Sequence, residues 1–297
     1  MTRRKALQGI LVASNRALAS SPTRLEVGGS ALDVLIDSGQ YALGDTVLID
    51  WVKQSARAVS AYYGKFPVPR ARIRISISSR GRVSNGKSFG DNGAHCSISV
   101  GQNTTLADLR QDWELTHEMV HFSFPSVEDR HHWIEEGIAT YVEPIARVSI
   151  GALTPQQVWS DIVRDMPQGL PEPGDQGLDN THTWGRTYWG GALFCLMADI
   201  GIRKRTNNAK GLRHALQAIN RAGGTIESDW PLERALAIGD KATDGKTLSD
   251  LYREMALKPM NIDLPRLWDQ LGIRRRDNGV TFDDHAPLAA IRAGCLS

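Results

Sequence analysis

The sequence has almost no net charge, few cysteines and no long apolar run, and each shortage removes a class of function. A formal charge of +2 over 297 residues leaves no electrostatic footprint for nucleic acid or an anionic membrane surface. The basic runs Arg203-Lys204-Arg205 and Arg274-Arg275-Arg276 read as solvated helix ends or loops. Three cysteines, Cys96, Cys195 and Cys295, are too few and too scattered for a disulfide framework or a four-cysteine metal site. No run approaches the roughly eighteen apolar residues of a spanning helix, so no membrane span is expected. What remains, 41% hydrophobic and 23% charged, is the composition of an ordinary folded chain long enough for a substantial core.

Residues 1–22 admit two readings. Arg3, Arg4 and Lys5 precede a short apolar stretch, and Ala17-Leu18-Ala19 has the small-x-small pattern of a signal cleavage site. Thr2-Arg3-Arg4 with Leu7 resembles part of a twin-arginine export signal. Asn15 and Arg16 interrupt the apolar stretch, which leaves an amphipathic N-terminal segment as the other reading. The balance favours export, to the periplasm or the medium, over the cytoplasm.

Along the rest of the chain the pattern is strands first and helices after, an α+β arrangement. The region 24–37 is strand-like and punctuated by Gly28-Gly29. Val47, Leu48, Trp51, Val52, Val59 and Tyr62 recur at helical spacing, with Gly64 as the stop. Ile73-Arg74-Ile75-Ser76-Ile77 and the stretch 95–100 alternate as half-buried strands, and 81–93 between them reads as a polar, glycine-rich loop. Thr105 and Asp108 form a capping box for a helix running to about Phe122, stopped by Pro125. A second helix is expected over roughly 128–146, then a long Gly/Pro-rich loop between Met166 and Trp184. A helix apolar nearly all round follows over 188–200, and 279–282 reads as one last strand. The expected parts are a β-rich stretch over 23–104, a helical core over 105–205 and a helical C-terminal part over 206–297.

The chemistry concentrates in Trp113-Glu114-Leu115-Thr116-His117-Glu118-Met119-Val120-His121. On a helix, residues four apart share a face, so both imidazoles can reach one ion while Glu118 lies beside it. Zinc suits imidazole nitrogen and, for catalysis, takes three protein ligands and keeps one position open. An adjacent carboxylate can then take a proton from the attacking water, which is the role expected of Glu118. Downstream, His132-Trp133-Ile134-Glu135-Glu136-Gly137 offers two acids for the third ligand position. His131 and His132 read as loop or pocket-rim residues.

The pairing of His-Glu-x-x-His with Trp-x-x-Glu-Gly on the following helix resembles the gluzincin metallopeptidases, the thermolysin-like and M1/M61 aminopeptidase-like group. The resemblance implies a thermolysin-like catalytic domain holding one zinc ion. It makes Glu136, directly before Gly137, the third ligand beside His117 and His121, and it expects Gly137 to let the two motif helices approach closely. Thr187-Tyr188-Trp189-Gly190-Gly191 is similar to the Tyr-x-x-Gly segment of the same relatives, where the tyrosine donates to the oxyanion; that role falls to Tyr188. A core tyrosine is the plainer reading, and Trp184 and Trp189 read as core or pocket wall. A metzincin would need a histidine at position 127, which is Val127. The sequence departs from the M1 branch at Gly93-Ala94-His95-Cys96-Ser97, which lacks the acid that holds a substrate's amino terminus there. The expectation is a zinc metallopeptidase acting on peptide or protein substrates, with a zinc hydrolase of esters or other amides, or a metal-bound scaffold, as alternatives.

Overall fold

The computed structural model describes residues 21–39, 41–79 and 81–296; the expected signal segment lies outside the described residues but for its last two positions. Strands β1 (Thr23–Val27) and β2 (Ser30–Ile36) form an antiparallel hairpin. Its two-residue turn, Gly28-Gly29, has both φ positive, a conformation that matches strand twist and that glycine adopts without cost. Helix α1 (Asp45–Tyr63) ends at Gly64 in the left-handed conformation, as the periodicity and the glycine predict. Next come β3 (Arg70–Ser78), β4 (Val83–Phe89) and β5 (His95–Gly101). The sheet order is β1-β2-β3-β5-β4, parallel across β2, β3 and β5 and antiparallel at both edges.

Strand β4 corrects the expectation of a loop over 81–93. No residue of β4 is fully buried, so the strand needs no apolar face. Its ladder is broken by an irregularity between Ser84 and Lys87, and Asn85 there has φ 58°. A polar, bulged edge strand has no alternation for a periodicity argument to detect.

The helices follow the sheet: α2 (Leu106–Gln111), α3 (Glu114–His121), α4 (His132–Ser149), α5 (Pro155–Asp165) and α6 (Gly191–Arg205). Then come α7 (Leu212–Arg221), α8 (Leu232–Ala242), α9 (Thr247–Met255), α10 (Leu264–Leu271) and, after the hairpin β6 (Ile273–Arg276) and β7 (Gly279–Phe282), α11 (Ala289–Cys295). The single helix expected over 105–122 is two. The Thr105–Asp108 capping box is present, but Asp112 is extended (ψ 134°) and ends α2. Its carboxylate then accepts the N–H groups of Glu114 (3.1 Å) and Leu115 (3.2 Å), starting α3 as a side-chain cap.

One face of the sheet, with Leu32, Val34, Ile73, Ile75, Cys96 and Ile98 all buried, packs into the same core as α1 and the motif helices. Helices α3, α4 and α6 pack in succession. Gly137 acts at the α4–α6 crossing, not between the two motif helices. A Cβ on Gly137 would lie 2.3 Å from the Gly191 carbonyl carbon, and one on Gly191 would lie 2.1 Å from the Trp133 carbonyl oxygen. The glycines of the two motifs thus touch, and their contact sets where Tyr188 stands relative to Glu136. All three cysteines are free and buried. Among the described residues no helix is long and apolar enough to cross a membrane.

Candidate metal centre

Helix α3 presents His117 and His121 on one face, their ring centroids 5.0 Å apart. The start of the second turn of α4 brings Glu136 to them. Its Oε2 lies 3.1 Å from His117 Nε2 and 3.7 Å from His121 Nε2, and the ligand-capable atoms of all three residues fall within 4.8 Å of one another. Two imidazoles and one carboxylate, converging from two rigid helices, are the donor set and arrangement that suit a catalytic divalent metal. Glu135 points elsewhere: its Oε1 accepts the Val127 N–H at 2.9 Å and so braces the turn before α4.

Electrostatics around the triad follow from its burial. Desolvation lowers the His121 imidazole to about 4, so the ring is neutral and free to offer a lone pair. Burial pushes the Glu136 carboxyl up, but hydrogen bonds from His117 and His132 outweigh it and hold the group well below the ordinary range. Glu118 sits beside the triad, and burial raises its carboxyl, tempered by His117. A carboxylate raised by desolvation is a better proton acceptor than one exposed to water.

Strand β4 lies along this cleft. Ser88 Oγ donates to the Glu118 carbonyl oxygen at 2.8 Å, and the Gly86 N–H donates to Glu114 Oε1 at 2.5 Å. Gly86 carries no side chain where one would collide with Glu118: a Cβ there would lie 2.7 Å from Glu118 Cγ. The strand beside the metal residues is therefore β4. The segment 93–97 opens β5, one strand in from the edge. Residues 83–89 also contain no acid.

Tyr188 comes from a π-type turn, Arg186–Gly190, that leads into α6. Its ring stacks on His117 on one side (centroids 6.2 Å apart) and on Trp184 on the other (5.5 Å). Burial raises its hydroxyl to about 12, with Glu136 and Glu118 adding to the effect, so it remains a proton donor at any ordinary pH. Two cavities meet at this ring. One of about 470 Å³ is bounded by β4, His121 and Glu136; the other, of about 530 Å³, opens past His117, Trp113 and Trp184.

Residues beyond the motifs also belong to the site. His132, half-exposed at the rim of the first cavity, places Nε2 3.3 Å from Glu136 Oε1, the oxygen turned away from the other imidazoles. That holds the Glu136 carboxylate in orientation. His132 is thus the rim residue expected, whereas His131 is buried and bonds Asp179 at 2.8 Å, away from the triad. The signals for Gly86 and His132 were a glycine in a polar stretch and a histidine four before Glu136, neither of which marks a site without the fold.

No family model and no curated protein matches the sequence. Solved structures do match. An aminopeptidase N family protein from Idiomarina loihiensis superposes with TM-score 0.65 at 12% identity, covering 90% of this chain and 53% of that one. An M1 zinc metallopeptidase from Deinococcus radiodurans gives 0.52 at 13% identity, over 82% and 52% of the two chains. A mutant two-domain M1 zinc metallopeptidase bound to L-arginine gives 0.51 at 15% identity, over 80% and 52%. The chain spans about half the length of these structures. Both motif and architecture thus lead to one conclusion, that this chain carries the fold of M1 zinc metallopeptidases.

Proposed function

We propose that the chain is a zinc-dependent peptidase in which His117, His121 and Glu136 hold the metal, Glu118 is the general base and Tyr188 stabilises the oxyanion. The observation that carries this reading is the convergence of three ligand-capable side chains beside the buried Glu118 carboxyl, in a cleft bounded by an edge strand. Zinc, when bound, supplies Lewis acidity, which makes water a nucleophile at neutral pH and polarises a carbonyl.

The chain's own residues do the rest. Glu118 takes the proton of the attacking water and returns it to the leaving amine, which balances the hydrolysis of the C–N bond. The Tyr188 hydroxyl donates to the oxygen of the tetrahedral intermediate, a preorganised donor at the point where negative charge develops. The outer edge of β4 offers main-chain groups to an extended peptide by strand addition, which favours a peptide over an isolated ester.

The test joins metal content to hydrolysis of a mixed peptide library. Wild type should hold about one zinc per chain and cut peptides, and Glu118→Gln should keep the zinc while losing hydrolysis. Undiminished hydrolysis by Glu118→Gln would overturn the mechanism.

A further inference from the structure

The connection between α5 and the Tyr188 turn is long and rich in glycine and proline, and such a connection is either a mobile lid or a built part of a site. Its contacts make it the second. On its far side the N–H groups of Leu178 and Asp179 donate to the carbonyls of Met255 and Ala256, each at 3.0 Å, which fixes it to the end of α9. The buried Asp179 carboxylate accepts the Trp133 Nε1–H at 2.7 Å and the Tyr252 hydroxyl at 2.8 Å, with His131 Nδ1 also at 2.8 Å. Trp133 lies on α4, the helix that carries Glu136. The loop is therefore fixed relative to a metal residue.

Its near side touches the turn that carries Tyr188. A Cβ on Gly169 would lie 2.4 Å from the Trp189 carbonyl carbon, and one on Gly185 would lie 2.4 Å from the Gln168 carbonyl oxygen. The two backbones are thus in direct contact. Arg186, the first residue of the turn, lies buried at this contact. Its Nη1 donates to the Gly169 carbonyl oxygen, and its Nε stands 2.7 Å from Asp175 Oδ2, the two side chains being 4% and 2% exposed. Asp175 Oδ1 in turn accepts the Gly177 N–H at 2.8 Å. Neither Arg186 Nε nor Asp175 Oδ2 has a hydrogen-bond partner among the described residues, so each is compensated by the opposing charge. A buried pair of this kind adds little stability over an apolar pair, yet removing one partner strands the other charge. Its use here is geometric. Rings stacked on both faces of Tyr188 stop it from tipping but let it slide in its own plane. The height of the hydroxyl is then set by the turn's backbone.

We propose that the Asp175–Arg186 ion pair is a positioning device: it locks the π-type turn to a loop that is itself fixed to α4, and so sets where the Tyr188 hydroxyl stands relative to Glu136. Both are positioning residues, acting through Tyr188. Their effect on turnover rests on the peptidase reading; the locking of the turn does not.

The test follows both consequences at one temperature below unfolding. Asp175→Asn keeps the size of the side chain and removes its charge. On a peptide cut by wild type, its kcat should fall about 10²-fold with KM and zinc content unchanged, as for misplacement of a group by about 1 Å. In a Tyr188→Phe background the same substitution should cost about twofold or less, because the hydroxyl it positions is gone. Arg203→Lys is the structural control. It disturbs the buried Asp199–Arg203 pair (2.9 Å) at the other end of α6, and should lower the unfolding midpoint while leaving kcat unchanged. Amide exchange on zinc-loaded Asp175→Asn gives a readout without catalysis: exchange over 185–190 should rise about tenfold, with α3 and the first turns of α4 as in wild type. Arg186→Lys keeps the charge but loses the double reach to Gly169 and Asp175. It should show the same pattern to a smaller extent, and it serves where Asp175→Asn does not fold. Unchanged exchange over 185–190 would overturn the lock. An unchanged kcat, or an equal loss with and without the Tyr188 hydroxyl, would overturn the positioning role. Raised exchange in a protein whose wild type cuts no peptide would keep the lock and defeat the peptidase reading; hydrolysis with the turn unaffected would do the reverse.

Discussion

The metal triad and the walls around it are built in opposite ways. The triad comes from two helices adjacent in sequence, α3 and α4, and each ligand is held by helix geometry that needs little else. The walls come from far apart: β4 upstream, Tyr188 downstream, and α5 and the stretch before Tyr188 around the second cavity. In the proposed reading, reaction chemistry is written in short-range spacing and substrate handling in long-range packing. The two should respond differently to substitution, the first through metal content and the second through turnover with the metal in place.

The largest expected effect falls on the triad. Glu136→Ala should lose zinc on dialysis and with it all hydrolysis, whereas Glu135→Ala should keep the metal, because Glu135 is engaged with the Val127 N–H. Metal analysis of the two variants settles the choice between adjacent acids. Equal zinc retention would break the distinction between triad and wall at its root. Next in size is Tyr188→Phe, which removes only the hydroxyl. The ring stack on His117 and Trp184 should survive, zinc content should be unchanged, and kcat should fall about 10²–10³-fold, as for loss of one oxyanion donor.

Gly86→Ala sharpens the comparison further, since it lies on the wall yet touches the base. The added methyl must displace the Glu118 side chain or the strand. Hydrolysis should fall about tenfold or more from misplacement of the base, with zinc again retained. Full activity would mean that β4 yields easily and does not hold the base in place.

These contrasts also explain what could be read from the sequence. His117, Glu118 and His121 stand out because a four-residue spacing puts both imidazoles on one helix face with the carboxylate beside them. Glu136 needed the Trp-x-x-Glu-Gly resemblance, since Glu135 offers the same chemistry one position away; only the fold shows which carboxylate turns to the imidazoles. Strand β4 was illegible because it is bulged and has no fully buried residue, and so keeps no apolar alternation. The break at Asp112 was hidden because the helical period carries through it, while the side chain that ends one helix begins the next. Gly137 was visible as a glycine but not as a contact. Its partner, Gly191, lies in another motif, and closeness between distant glycines has no sequence signature. Gly137→Ala should therefore act on the fold first, lowering stability by about 1–3 kcal/mol as the α4–α6 crossing opens. Denaturant unfolding measures this directly, and an unchanged midpoint would show that the crossing can relax.

The last effect is confined to a pH window. Asp112 caps the start of α3, accepts the Trp51 Nε1–H at 3.2 Å, and is raised by burial from 3.8 to about 6. A raised carboxyl favours the folded state in its protonated form. Its contribution is fully present below the unfolded value of 3.8 and is lost as pH rises through about 6. Asp112→Asn abolishes this titration. Across that window wild type should lose stability relative to the variant by up to about 1.4 kcal/mol per pH unit, with no further divergence above it. Glu143, raised by burial to about 7 with the Asp112 charge adding to the effect, is itself lowered in the variant, so the comparison is read below its own titration. Parallel curves across the window would mean that the cap is ionised in the fold and that α3 is started by a full charge at its N-terminus.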